Sequence, residues 1–294
     1  MKYILIFSLL FSFVFSSSIE KKAIIYQPQE QDFIFMNWEK KLQTLSHYGF
    51  KTLILQWTKY GNHNFTQKHP QWISTLLKAS KKHHIKIFFG LYADPLYFKT
   101  LENDQLNIEK YLDKLYHANI DLAKKLDKQI HDHEAFGGWY IYDELNDGTW
   151  QKKSWQQPLK RYLEKLYLSL QKLSKEKKIL ISTYFNGDIA PAEYVMLLNR
   201  LIPEDMVLLL QSGVGAGLIT PKECSAYYKA FLEHSIHQWY PIIELFSIKN
   251  NTVKADFKRF KEQDICHTKQ TNVYFSLRYF FKHNFLDHYK EIYP

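Results

Sequence analysis

Residues Phe136–Trp150 read FGGWYIYDELNDGTW, an aromatic, strand-like run that stops on two adjacent carboxylates, Asp143 and Glu144. An ionised carboxylate resists burial unless it is paired, hydrogen-bonded or neutralised. The acids therefore make sense only if this strand ends where a wall gives way to a cleft, and that depends on the elements around it.

Outward from this stretch, the chain alternates between two textures. Short runs rich in Ile, Val, Phe and Tyr read as buried strands, and longer segments with apolar residues every three or four positions read as helices. The first run is AIIYQP (residues 23–28), followed by the helical WEKKLQTLSHYG. KTLILQW (51–57) is followed by a helix over 71–84, and IKIFFGLYADP (85–95) by a long one over 107–129. GGWYIYDE is the fourth run, with a helix over 158–175; KILISTYFNG (178–187) precedes PAEYVMLLNRLI. MVLLLQSGVGAG (206–217) precedes a helix opening at Thr220-Pro221, YPIIELF (240–246) precedes one over 254–263, and NVYFSLRYF (272–280) precedes a basic, aromatic tail. Eight such repeats without a Gly/Ser-rich or Pro-rich linker predict an α/β fold, a single (β/α)₈ barrel over 19–294. The rival, a doubly wound open sheet, calls for a glycine-rich phosphate loop after its first strand, and YQPQEQDF has no glycine. GVGAG at 213–217 lacks the spacing of a dinucleotide site and reads as a strand-to-helix loop.

The N-terminus, MKYILIFSLLFSFVFSSSIEKK, has one lysine, an apolar run to Phe15 and then three serines. That is the order of a secretory signal peptide, and the run falls short of the roughly 20 residues a spanning helix needs. Cleavage near Ser18, residues 1–18 as leader, a periplasmic or secreted protein and no membrane span after cleavage are expected; an uncleaved anchor is the alternative. At 46% hydrophobic and 17% aromatic, 294 residues supply a large core without disulfide staples. The two cysteines, Cys224 and Cys266, are expected at opposite ends of the barrel, too far apart to bridge. The net charge of +9 is spread over helix faces, and no nucleic-acid motif accompanies it. A monomer is expected.

Chemistry in these barrels sits at the C-terminal ends of the strands. The acids that fall there are Asp94, Asp143, Glu144, Asp147, Asp188 and Glu244; the glutamates are confined to the ends of the fourth and seventh strands, opposite one another across a barrel mouth. Two facing carboxyl groups are the minimum equipment for glycoside hydrolysis, one protonating the leaving oxygen and the other attacking the anomeric carbon or activating water. Tyr26, Trp57, Tyr92, Tyr142 and Tyr184 recur at strand ends beside Gln27, Gln56, Asn186 and Gln211. Aromatic planes cover the C–H faces of sugar rings while polar neighbours bond the hydroxyls. Arg278, read as part of the eighth strand, either pairs with a carboxylate or binds an acidic sugar. The histidines of HDHE (131–134) and His83-His84 precede strands and so belong to the opposite face, and His63 and His69 are loop residues. No metal and no cofactor are expected.

The placement of Glu144 and Glu244 resembles that of clan A glycosidases, whose acid/base glutamate ends strand four and whose nucleophile glutamate ends strand seven. YQP, LILQW and GGWYIYDE together resemble the barrel family called domain of unknown function 4434, over nearly the whole chain from Lys22. By that resemblance Glu144 is the acid/base and Glu244 the nucleophile. Clan A proteins usually carry asparagine before the acid/base glutamate, and here Asp143 stands in its place.

The expectation is an exported glycoside hydrolase acting on a polysaccharide or oligosaccharide by retention. The alternatives are a non-catalytic carbohydrate-binding barrel in polysaccharide assembly or export, and a metal-dependent hydrolase, which requires metal at the mouth.

Overall fold

A computed structural model describes Ile19 and residues 22–250, 252–263, 266 and 272–292. The expected leader, residues 1–18, lies outside the described residues. Eight parallel strands close into a barrel: β1 (Lys22–Tyr26), β2 (Phe50–Leu55), β3 (Lys86–Gly90), β4 (Phe136–Asn146), β5 (Lys178–Tyr184), β6 (Val207–Gln211), β7 (Trp239–Glu244) and β8 (Val273–Phe275). Each strand pairs with its sequence neighbours, and β1 pairs with β8 to complete the ring.

The strands read as unbroken apolar runs because both faces are covered. Alternate residues form two cores. Ile25, Ile54, Phe88, Tyr140, Leu180, Leu209 and Ile242 fill the barrel interior. Their neighbours Ile24, Leu55, Phe89, Trp139, Ile181, Leu208 and Ile243 face the helices. Burying side chains of this size contributes roughly 1.5–3 kcal/mol each before conformational entropy is charged against it.

Among the described residues, the helices of six residues or more are α1 (Trp38–His47), α2 (Trp72–Lys82), α3 (Ile108–Ile130), α4 (Lys153–Leu173), α5 (Pro191–Leu201), α6 (Pro221–His234), α7 (Phe257–Glu262) and α8 (His283–Ile292). The Thr220-Pro221 start of α6 is a full capping box, with Thr220 and Glu223 bonding each other's backbone N–H groups. In α3, Tyr111, Leu112, Leu115, Leu122, Ala123 and Leu126 form the packed stripe, and Asn119 interrupts it with a buried amide.

Four boundaries depart from the sequence reading. β4 continues past Glu144 to Asn146. α4 begins at Lys153, so Pro158 lies inside it. Thr252–Ala255 pairs with Phe246–Lys249 as a hairpin, in part of the span expected to be helical. β8 is only three residues long; Arg278 lies in the helical turn Leu277–Phe280 that follows, and the tail forms α8. A run as aromatic as VYFSLRYF has no periodicity that separates strand from helix.

The cysteines also correct the sequence reading. Both thiols are free and buried, and Cys224 is pushed up first by burial and then by its neighbour Cys266. Cys266 also donates to the Gln263 carbonyl at 3.0 Å. The separation was expected because Cys224 begins the helix after the sixth strand, near the mouth, while Cys266 precedes the eighth strand. At six residues, or roughly 9 Å, α7 is too short to carry the chain to the far end.

Candidate functional site

The acids of β4 sit on a break in the ladder. Ile141 pairs with Ile181 and Leu145 with Thr183, so residues 142–144 face the single residue Ser182. Extra residues of this kind re-aim side chains out of strict alternation. Strict alternation would turn Asp143 and Glu144 to opposite sides of the sheet; at this bulge that rule does not apply.

Glu144 is half-buried. Its carboxyl is raised to about 7, first by burial and second by the nearby charge of Glu244. Glu244, fully buried at the end of β7, is also raised to about 7 by burial, against the pull of its hydrogen bonds and of Arg259. The Gln211 amide donates to its Oε1 at 3.0 Å, and the Gly215 N–H to its Oε2 at 2.5 Å. Gln263 holds the backbone, donating to the Glu244 carbonyl at 2.7 Å and accepting from its N–H at 3.0 Å. The GVGAG loop is thus a cradle for a carboxylate. A Cβ on Gly215 would lie 2.5 Å from Glu244 Cβ and 2.8 Å from the Phe246 carbonyl oxygen, so the cradle needs glycine.

Asp143 is buried in a different network. Tyr162 of α4 donates to its Oδ2 by a short hydrogen bond, and Asn119 of α3 donates to the Tyr162 oxygen at 3.2 Å. The Asn119 carbonyl in turn accepts from the Tyr92 N–H at 3.0 Å. Burial, and secondarily Asp94, raises Asp143 to about 7, while the Tyr162 hydrogen bond opposes them. A carboxyl raised above its unfolded value contributes stability that is present at low pH and lost as pH rises through the folded pKa. The window here runs from about 4, the ordinary value, to about 7. Asp143→Asn keeps an oxygen for Tyr162 and removes the titration. It is expected to raise the melting temperature at pH 8 by at least about 3 °C, the shift that ~1 kcal/mol produces in a chain of this size, and to leave it nearly unchanged at pH 4, the bottom of that window. Calorimetry at both pH values checks this; an equal shift at both would exclude the proton as its cause.

The other expected residues divide into groups. Trp57 and Tyr142 meet edge to face at 5.5 Å, with Tyr60 beside Trp57 at 4.8 Å. Tyr92 is buried next to Asp94 and Asp143, which raise its hydroxyl further after burial. Gln56 is buried at the end of β2, bonding the Tyr26 carbonyl through its N–H at 2.8 Å, and Gln27 is half-buried after β1. Tyr184 is half-buried, and the charge of Glu144 is among the causes that raise it, after burial. Asn186 belongs to a loop anchor: the buried Asp147 carboxylate accepts from the N–H groups of Asn186, Gly187 and Asp188 at 2.9, 3.1 and 2.8 Å. Arg278 stands against Gln29 and Tyr26 rather than against either glutamate. Of the histidines, His83 meets Glu39 at 2.8 Å and His131 meets Asp127 at 3.1 Å; His63 and His69 both approach Glu30.

Tyr162, Asn119 and Gln263 were not singled out in the sequence, and Gly215 entered it only as part of the GVGAG loop. Asn119 had a detectable signal, an amide on the apolar stripe of a helix. Gln263 had none, because its role depends on where α7 ends.

A closed parallel barrel with twin glutamates at the ends of β4 and β7 defines a glycoside-hydrolase-like (β/α)₈ protein. The chain belongs to the family described as Domain of unknown function (DUF4434), which it matches over residues 22–283. The uncharacterized protein YbcH of Escherichia coli (strain K12) is 31% identical to it across 72% of each chain. A crystal structure of a protein described as a putative alpha-L-fucosidase from Bacteroides thetaiotaomicron is similar, with TM-score 0.64 and 14% identity over 94% of this chain and 95% of that one. The catalytic domain of Thermobifida fusca endoglucanase Cel5A is similar too, with TM-score 0.55 and 10% identity over 88% of this chain and 78% of that one. At these identities the structural likeness establishes the fold. Among the described residues no helix is long and apolar enough to cross a membrane.

Proposed function

We propose that the protein is an exported glycoside hydrolase that cleaves a polysaccharide or oligosaccharide with retention of configuration. The observation that carries this reading is the pairing of Glu144 with Glu244: two carboxyls at the barrel mouth, each raised to about 7, with the charge of one felt by the other. In this mechanism Glu144 donates its proton to the glycosidic oxygen as the C–O bond breaks, and Glu244 attacks the anomeric carbon to form a glycosyl ester. Glu144, now ionised, takes a proton from water as the water displaces Glu244. The Gly215 and Gln211 donors favour the ionised form of Glu244 and aim it, and Trp57, Tyr60 and Tyr142 offer faces for sugar rings. The lysine-then-apolar leader supports export.

Incubation with a panel of polysaccharides, with reducing ends measured and the first-formed anomer identified by proton NMR, tests the proposal. Retention is expected. An inverted first product would reject the nucleophile role of Glu244, and binding without cleavage across the panel would favour the non-catalytic carbohydrate-binding barrel.

A further inference from the structure

Between the loop after β1, helix α1 and the helical turn after β8 lies a cavity of about 290 Å³, whose lining includes Tyr26, Gln29, Asp32, Lys41, Arg278 and Lys282. Three of these residues are cations. Among the described residues, none of the three lies within 4.0 Å of a carboxylate, although Lys68, Lys82 and Lys152 elsewhere on the surface each do. The one acid in the lining, Asp32, is engaged by the Tyr26 hydroxyl at 2.9 Å and the Gln29 N–H at 3.1 Å.

Two of the three cations are not simply solvated, while Lys282 is exposed. Lys41 is half-buried, its ammonium is 3.7 Å from the Phe281 ring centre, and burial lowers its pKa. Arg278 is half-buried with the Gln29 amide 2.7 Å from one terminal nitrogen and 3.3 Å from the other, an arrangement satisfied when the amide oxygen faces the guanidinium. A neutral amide satisfies part of a five-donor fork and none of its charge. Three cations against one engaged acid, beside Met36, Leu277 and Phe281, make an uncompensated positive cavity. It lies beyond the C-terminal ends of β1 and β8, at the same end of the barrel as the glutamates. Arg278 follows by three residues Phe275, the ladder partner of Glu244.

We propose that this cavity is a subsite for the carboxylate of an acidic sugar, with the planar fork of Arg278 as its main contact and Lys41 and Lys282 completing the positive wall. This deepens the carbohydrate reading above by naming a substrate class, a uronic-acid-containing glycan.

The test is calorimetric titration of the Glu144→Gln protein, so that turnover does not intervene. The probes are oligosaccharides of galacturonate, mannuronate and glucuronate, their carboxyl-reduced counterparts, and inorganic phosphate. At least one charged oligosaccharide is expected to bind about tenfold or more tighter than its reduced form, the scale of one charge-assisted contact. Arg278→Gln is expected to remove most of that preference, lowering affinity for the charged chain far more than for the reduced one. Lys41→Met provides a second variant should the first fail to fold. Equal affinity for charged and reduced chains, a preference that survives both substitutions, or binding of phosphate alone would each overturn the proposal. Hydrolysis plays no part in this measurement, so failure of the glycosidase reading and failure of the subsite are separable.

Discussion

Glu144→Gln is expected to slow hydrolysis of an unactivated glycosidic bond by about 10²–10⁴-fold, the usual contribution of a positioned general acid. Activity on aryl glycosides with acidic phenol leaving groups should be spared far more, because such groups depart without a proton. Glu244→Gln is expected to abolish both activities, since no leaving group compensates for a missing nucleophile. The pH dependence follows from the same pair. In the proposed mechanism Glu144 must hold a proton and Glu244 must not, yet burial raises both to about 7. Activity should fall on the acid side as Glu244 gains a proton and on the alkaline side as Glu144 loses one. The result is a narrow bell around neutrality whose limbs belong to the coupled pair. Steady-state rates of the two variants on both substrate types, with a wild-type pH profile, check this. Full activity of either variant on an unactivated glycan would remove that residue from the mechanism.

Gly215→Ala should cost at least about 10²-fold in kcat/KM, the order expected when a reacting group is displaced by an ångström. The added methyl would fall 2.5 Å from Glu244 Cβ and 2.8 Å from the Phe246 oxygen. Neither neighbour is the free end of a flexible chain, so Glu244 or the loop must move, and the N–H bond to Oε2 goes with it. Overpacking of this kind destabilises by roughly 1–3 kcal/mol, which leaves a folded protein to assay. Circular dichroism confirms the fold and kinetics give the loss. A folded variant with wild-type kcat/KM would mean that the position of Glu244 does not govern turnover.

The barrel was legible because its signals are local and repeated. KTLILQW, KILISTY and MVLLLQ are continuous apolar runs of strand length, and the segments between them carry a helical stripe. The placement of the two glutamates followed from strand order alone. What the sequence hid depends on where elements stop. The end of α7 sets the position of Gln263 against Glu244 and of Cys266 against Cys224, and no capping residue in the sequence marks it. Arg278 was misplaced because Phe275–Phe280 has both strand-forming aromatics and helical spacing. The direction taken by Asp143 was hidden because the sequence holds no sign of the bulge; only the register of β4 against β5 reveals it.

That register has a further consequence. After the bulge β4 rejoins its partner, with Leu145 opposite Thr183 and Asn146 opposite Tyr184. Glu144 therefore rides on a span moored at both ends, where an ordinary strand-to-helix loop would be moored at one. Any movement of the mouth loops as a chain enters or leaves need not reach Glu144.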